Sequence, residues 1–487
     1  MWIEKFSIKN IKCFKDLPEL LFTREGQEPY RWVTLLGENG TGKSTLLKSM
    51  ALLLAGPQSA KKLYPYSPDG WLNQPDHRGE ISMTLRQDVT LPGVEFATGA
   101  QKHQIDENEF RQSNGRIFRS LPFAYYVVDK NIEVNKVRYG GPDLVEHPSS
   151  WLNWLQNNAL REESQGWFAA GYGSFRRVPN RKQMSAGSKP AQNRMSNFIT
   201  QFDEKMELTT LDQWIGNQVL LSTGTRSEVR DQARVTLARI AATIPHFLPR
   251  FSEVPGQEQL IEMGYLDPET NERVVLDDSG EVIWQLNNGL MVSSSSLSDG
   301  YRSILAFTGD LVARLALAFP HLADPTQAPG VVLVDELDAH LHPSWQRQIA
   351  KWLQDKFPNI QFIVATHSPF IAVGAGENAL TLRFKRQAGE VICEQVSDLA
   401  LMDVDDVLHS PAFELISTHS PQVQKDIQEY YLARQELKQF AEGSPEYIAR
   451  KEKMNVLQER VAIAQNYFVE PGSLDEKIEN YIKTERE

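Results

Sequence analysis

The feature that most constrains this chain is the run Gly37-Glu38-Asn39-Gly40-Thr41-Gly42-Lys43-Ser44, which follows the apolar stretch Trp32 to Leu36 and leads into Thr45-Leu46-Leu47-Lys48. The apolar stretch reads as a buried strand, and the residues from Ser44 onward open a helix. Gly37, Gly40 and Gly42 let the backbone bend so that its N–H groups point at phosphate, and the helix N-terminus favours negative charge there. Lys43 can reach the outer phosphates of a nucleotide and Ser44 can ligate Mg²⁺; Asn39 and Thr45 belong to the same cradle. A glycine-rich turn without a ligand is the alternative. The full match, with strand before and helix after, argues against it.

Val331-Val332-Leu333-Val334 is uninterrupted and β-branched, the pattern of a parallel strand covered on both faces, and it ends in Asp335 and Glu336. Ligands of open α/β sheets bind at strand carboxyl ends. Asp335 is therefore placed to hold Mg²⁺ and Glu336 to orient or deprotonate an attacking water. A strand ending in a solvated acidic loop would look the same on its own. Pro343 to Phe357 carries Trp345, Ile349, Trp352 and Leu353 at helical spacing, and Ile360 to Ala365 is a further apolar strand ending at Thr366-His367-Ser368. Strand, crossover helix and parallel strand bring His367 to the same sheet edge as Glu336, where it can donate to a phosphate or a water.

Leu297-Ser298-Asp299-Gly300-Tyr301 precedes a helix whose apolar positions are Ile304, Leu305, Leu311 and Leu315. Ser298 reads as its N-cap and Gly300 as a point of close backbone approach. An ordinary capped helix gives the same pattern. A helix start is nevertheless a phosphate site, and the sheet already supplies one phosphate loop for its own nucleotide, so this helix is expected to serve the nucleotide of a second copy.

In this order the four motifs resemble the ABC-type ATPase superfamily, in its SMC, RecF and OLD-like branch. The signature Leu297 to Ser303, the run Asp338-Ala339-His340-Leu341-His342-Pro343 and the long separation of phosphate loop from signature set it apart from transporter subunits. Ser344-Trp345-Gln346-Arg347-Gln348-Ile349, Gln361 to Pro369 and Val407 to Phe413 look like bacterial anti-phage defence ATPases, Septu-type subunits among them. The resemblance covers the chain discontinuously from Met1 to about Phe413. It implies ATP and Mg²⁺ as cofactors, Lys43 and Ser44 on phosphate and metal, Asp335 on metal, Glu336 as catalytic base and His367 as switch. It also implies Ser298 and Gly300 reaching across a homodimer or higher homo-oligomer, and Asp338 in a loop between the two sites. The family's glutamine-bearing loop finds no match: Gly171-Tyr172-Gly173-Ser174-Phe175-Arg176-Arg177 lies where it could be and contains no glutamine.

The fold class expected is α/β, an ABC-type head of parallel sheet plus antiparallel β lobe with a helical insertion and a helical C-terminal extension. Phe6 and Ile8, then Ile81, Met83 and Leu85, alternate as strands of that lobe. Residues 1–180 and 256–413 would make the head, 181–255 a mostly helical insertion, and 414–487 a helical interaction region. No sustained heptad lies between phosphate loop and signature, so long coiled-coil arms are not expected. In the extension, Val423, Ile427, Tyr430, Leu437 and Phe440 share one face, Met454, Leu457, Val461 and Ala464 another, and Ser473 with Glu476 forms a capping box.

Charged residues at 23% and hydrophobic residues at 41% describe a soluble globular chain, and two cysteines are too few for a disulfide framework. A reducing cytoplasm is the expected compartment, with no signal peptide at Met1 to Phe6 and no membrane span, since Ile304 to Phe319 is interrupted by Asp310 and Arg314. The net charge of −12 argues against coating nucleic acid nonspecifically. The run Arg176, Arg177, Arg181, Lys182, Lys189 and Arg194 is the best candidate for contact with DNA or an acidic partner, with a solvated loop as the alternative. Three functions follow: an ATPase switch in a defence system controlling a separate effector such as an HNH-type nuclease; a RecF- or SMC-like DNA-repair ATPase; and an OLD-like nuclease, the weakest, because Asp403-Val404-Asp405-Asp406 lacks a domain of its own.

Overall fold

Uninterrupted apolar strands demand cover on both faces, and the computed structural model provides it. It describes residues 1–466 except 25–27, 67–69, 89–109, 114–115, 129–132, 135–136, 139–142, 149, 158, 161–166, 175, 177–192, 244–259, 267–272, 278–279, 416–419, 438–439 and 442. A six-stranded sheet runs in the order Phe168–Tyr172, Gly330–Val334, Ile360–Ala365, Trp32–Gly37, Leu380–Gln387, Glu390–Val396. All neighbours are parallel except the last pair. Val331 and Leu333 face one apolar cluster, with the phosphate-loop helix Lys43–Ala55; Val332 and Val334 face the other, with the signature helix Asp299–Ala318 and the crossover helix Pro343–Lys356. This double burial is why the strand needs no polar alternation.

Strands Phe14–Leu21, Trp2–Ile11, Gly79–Asp88, Arg116–Val128 and Phe110–Ser113 form the expected antiparallel lobe in that order. Ile3, Phe6, Ile8 and Ile11 supply its buried face. The buried Gln361 of the parallel sheet accepts from Ile3 N at 2.8 Å and donates to the carbonyls of Ile3 and Tyr30, tying lobe to sheet without an unpaired polar group.

Within the expected insertion 181–255, helices Leu211–Ser222 and Ser227–Thr243 do not stand apart. Leu211, Trp214, Ile215 and Ile240 enter the same apolar cluster as the signature helix, and the whole belongs to one compact unit, Met1–Val407. Thr210 and Gln213 close a capping box at the start of the first of these helices. The signature helix itself departs from an amphipathic reading: Asp310, expected at a polar interruption, is fully buried. Its carboxylate is satisfied by Arg314, Tyr172 and Trp214.

The second unit, Leu408–Glu487, contains helices Pro421–Leu437 and Pro445–Asn466, joined through Gly443 at φ 86° and capped by Ser444. Arg450–Glu436 and Arg460–Asp426 ion pairs link the two helices, and Leu437 and Leu457 are buried while Leu432, Ile448 and Val456 are exposed. Ser473 and Glu476 lie outside the described residues. Asp403, read as a possible metal carboxylate, accepts from Asp406 N at 2.9 Å at the start of the short helix Val404–His409. Among the described residues no helix is long and apolar enough to cross a membrane.

Candidate functional site

Three neighbouring strands end at one sheet edge, and each delivers one of the expected segments. Val334 pairs with Val364, and Ala365 with Leu35, so Asp335-Glu336, Thr366-His367 and the phosphate loop emerge side by side. The phosphate loop is built around glycine. A Cβ on Gly37 would sit 2.4 Å from the Phe384 carbonyl oxygen, and one on Gly42, at φ 94°, 2.4 Å from Cys13 Sγ. Lys43 Nζ donates to the carbonyls of Gly37 at 2.6 Å and Glu38 at 3.1 Å, holding the ammonium in the mouth of the loop. Burial pulls Lys43 below the usual lysine value, while Asp335, Glu336 and Asp338 pull the other way.

Ser44 and Asp335, the two expected metal residues, are neighbours: the hydroxyl lies close enough to favour the ionised carboxylate. Asp335 is 7% exposed, and its Oδ1 is buried without a hydrogen-bond partner. Burial raises the Asp335 carboxyl above the ordinary aspartate value, against the opposing effects of Ser44, Lys48, Lys43 and Arg176. A hydroxyl beside a buried carboxylate oxygen that lacks a donor is the oxygen set a hard divalent cation takes, so these residues fit Mg²⁺. The converging loop amides and Lys43 likewise fit a polyphosphate.

Glu336 follows Asp335 at φ 48°, a left-handed conformation disfavoured for residues with a Cβ. Its side chain is half-buried and close enough to affect both Lys43 and His367. His367 lies below the usual histidine value, first through burial and then through Lys43, against the three carboxylates, which favours the neutral imidazole. Its neighbours are pinned to the acidic loop. Thr366 Oγ1 hydrogen-bonds Asp338 Oδ1, Ser368 Oγ donates to Gln346 Oε1 at 2.6 Å, and Gln346 Nε2 donates to the carbonyls of Leu341 at 2.8 Å and Asp338 at 3.3 Å.

Ser298 occupies the N-cap position of the signature helix, but its side chain makes no capping bond, so the hydroxyl is not committed to its own helix. Gly300 packs under the His340 carbonyl, 3.3 Å from a built Cβ, and the Tyr301 and Trp345 rings meet edge to face at 4.6 Å. The signature thus leans on the loop after Glu336.

The basic run requires correction at both of its ends. Arg176, 7% exposed, donates to the carbonyls of Asp335 and Glu336 at 2.8 Å each; Arg194, 6% exposed, donates to those of Leu54 and Ala159. Neither guanidinium is available to DNA phosphates, because each is spent on buried backbone acceptors. Arg177, Arg181, Lys182 and Lys189 lie outside the described residues. Arg176 and Gln346 are the residues that the motif reading missed. Both act on backbone carbonyls, which leave no pattern in a sequence.

Residues 33–373 match the family model described as AAA domain, putative AbiEii toxin, Type IV TA system. The retron Vc95 probable ATPase of Vibrio cholerae serotype O1 biovar El Tor is 33% identical over 406 residues, 78% of this chain and 75% of that protein. The Septu protein PtuA of Bacillus mycoides (strain KBAB4) is 24% identical over 435 residues, 88% of this chain. The chain spans about half the length of that relative, 47%. Among solved structures, the SMC head bound to the C-winged helix domain of ScpA aligns with 82% of this chain and 98% of that one, at 17% identity and a TM-score of 0.44. The kinship with Septu-type ATPases expected from the motifs is thereby borne out. The chain belongs to the family described as AAA domain, putative AbiEii toxin, Type IV TA system.

Proposed function

We propose that the chain is a Mg²⁺-dependent ATPase that works as a dimeric nucleotide switch in an anti-phage defence system and controls a separate effector protein. The observation that carries the ATPase reading is the convergence of Lys43, the Ser44–Asp335 pair, Glu336 and His367 at one sheet edge. Loop amides and Lys43 would bind the phosphates, and Ser44 and Asp335 would hold the metal. Mg²⁺, when bound, neutralises phosphate charge as it develops. Glu336 orients and accepts a proton from the attacking water, and neutral His367 donates a hydrogen bond toward the γ-phosphate or that water. The uncommitted Ser298 hydroxyl at a helix start supports a composite site, in which this signature meets the nucleotide of a second copy.

The defence role rests on the similarity to proteins named for Septu and retron systems. Control of an effector, with an HNH-type nuclease as candidate, rests on the exposed apolar residues Leu432, Ile448 and Val456 of the helical pair 421–466. Lys43→Ala is expected to lose ATP binding, whereas Glu336→Gln keeps binding and loses turnover by about a hundredfold to ten-thousandfold. Near-normal turnover in Glu336→Gln would remove Glu336 from the chemistry. Identification of the protein co-purifying from the native operon tests the role: a nuclease supports defence, and a recombination mediator would replace it with repair.

A further inference from the structure

We propose that Arg176 is the positioning residue of the catalytic turn: its guanidinium fixes the backbone of Glu336 and so aims the carboxylate, an inference that rests on the ATPase reading above. The two carbonyls it holds are consecutive, Asp335 O at 2.8 Å and Glu336 O at 2.8 Å. Between those two peptide planes lie only the φ and ψ of Glu336. A planar guanidinium that binds both oxygens therefore sets both dihedrals, and with them the direction of the Cα–Cβ bond. That setting matters because Glu336 stands at φ 48°, a conformation disfavoured for a residue with a Cβ.

The surroundings fix the clamp in turn. Asp335 N donates to Tyr172 O at 2.9 Å, extending the parallel ladder one step past the strand. Gly173 then lets the chain pass Thr200, whose carbonyl would be 2.1 Å from any Cβ at 173, and so carries Arg176 back under the acidic turn. Glu336 O accepts a second bond, from Ala339 N at 3.0 Å, which closes the turn. Burial lowers the guanidinium to about 10, against the pull of Asp335, Asp338 and Glu336, so it remains charged at neutral pH. The segment that lacks the glutamine expected of its relatives thus contributes an arginine that grips main chain rather than metal.

The test is Arg176→Lys beside Arg176→Met in the full chain, with Glu336→Gln as reference. Lysine keeps the charge and removes the two-point grip. Both variants are expected to bind ATP within about threefold of wild type and to lose turnover by about tenfold or more, as misaimed catalytic groups do. Hydrogen exchange supplies a readout independent of hydrolysis: amides of residues 336–341 should exchange faster in both variants, while those of 37–44 keep their wild-type rates. Full turnover in Arg176→Lys, or unchanged exchange at 336–341, overturns the inference. If wild type itself hydrolyses no ATP, the ATPase reading fails and the exchange data alone decide whether Arg176 holds the turn.

Discussion

Replacing Asp310 with alanine is the sharpest test of how this core is held together. Asp310 is 0% exposed in the middle of the signature helix, and its carboxylate accepts from Arg314 Nε at 2.7 Å, Tyr172 OH at 3.0 Å and Trp214 Nε1 at 3.1 Å. Burial pulls the Arg314 guanidinium down, but Asp310 and Tyr172 reverse this and leave it above the ordinary arginine value. Removing the carboxylate strands a buried cation, which costs about 3–5 kcal/mol, and leaves two neutral donors unpaired. Arg314 keeps Asn197 Oδ1 at 2.8 Å, which places the expected loss near the middle of that range, about 4 kcal/mol. With an unfolding entropy of about 2.1 cal/mol/K per residue, a unit of this size should melt about 5 °C lower. Differential scanning calorimetry of the full chain reads the shift. The control is Asp310→Ala with Arg314→Met, which removes both charges and should recover about half of the loss. A melting point unmoved by Asp310→Ala, or a double variant as damaging as the two single changes added together, would refute the argument that the pair is held by mutual neutralisation.

Three further outcomes follow from the site. Ser298→Arg mixed with Lys43→Ala should recover part of the ATP turnover that each lacks alone, since one of the two composite sites in a mixed dimer is undamaged; absence of recovery with mixed dimers demonstrated would favour independent sites. Gln346→Ala removes the bonds to Leu341 O, Asp338 O and Ser368 Oγ, and should slow hydrolysis by about tenfold, the loss of roughly one net hydrogen bond in the transition state, with ATP binding intact. Because burial raises the Asp335 carboxyl and only its ionised form holds a cation, Mg²⁺ affinity should weaken on acidification beginning at a higher pH than an exposed aspartate would give. Titration of Mg²⁺ against a fluorescent nucleotide at successive pH values checks the sign, and an affinity independent of pH below neutrality would contradict it.

Much of the site was legible because its chemistry depends on residue type at fixed local spacing. The glycines at 37, 40 and 42 with Lys43 and Ser44 form a pattern because backbone bends and phosphate contacts occur within one short loop. Val331 to Glu336 and Ile360 to His367 are legible because a strand buried on both faces must be apolar throughout and can turn polar only where it ends. Asp310 and Arg314 mark the limit of such reading: helical periodicity places them on a polar face, while the structure closes them inside against Trp214 and Tyr172. The same limit applies to Arg176, which looks like part of a basic loop until the fold sets it beneath Asp335 and Glu336. By itself the sequence determined the nucleotide motifs and the parallel sheet that presents them, since these follow from local backbone geometry and hydrophobic patterning. Only the tertiary structure decided which charges are buried and which carbonyls they hold, because such partners are distant in sequence and every residue carries the same backbone acceptor.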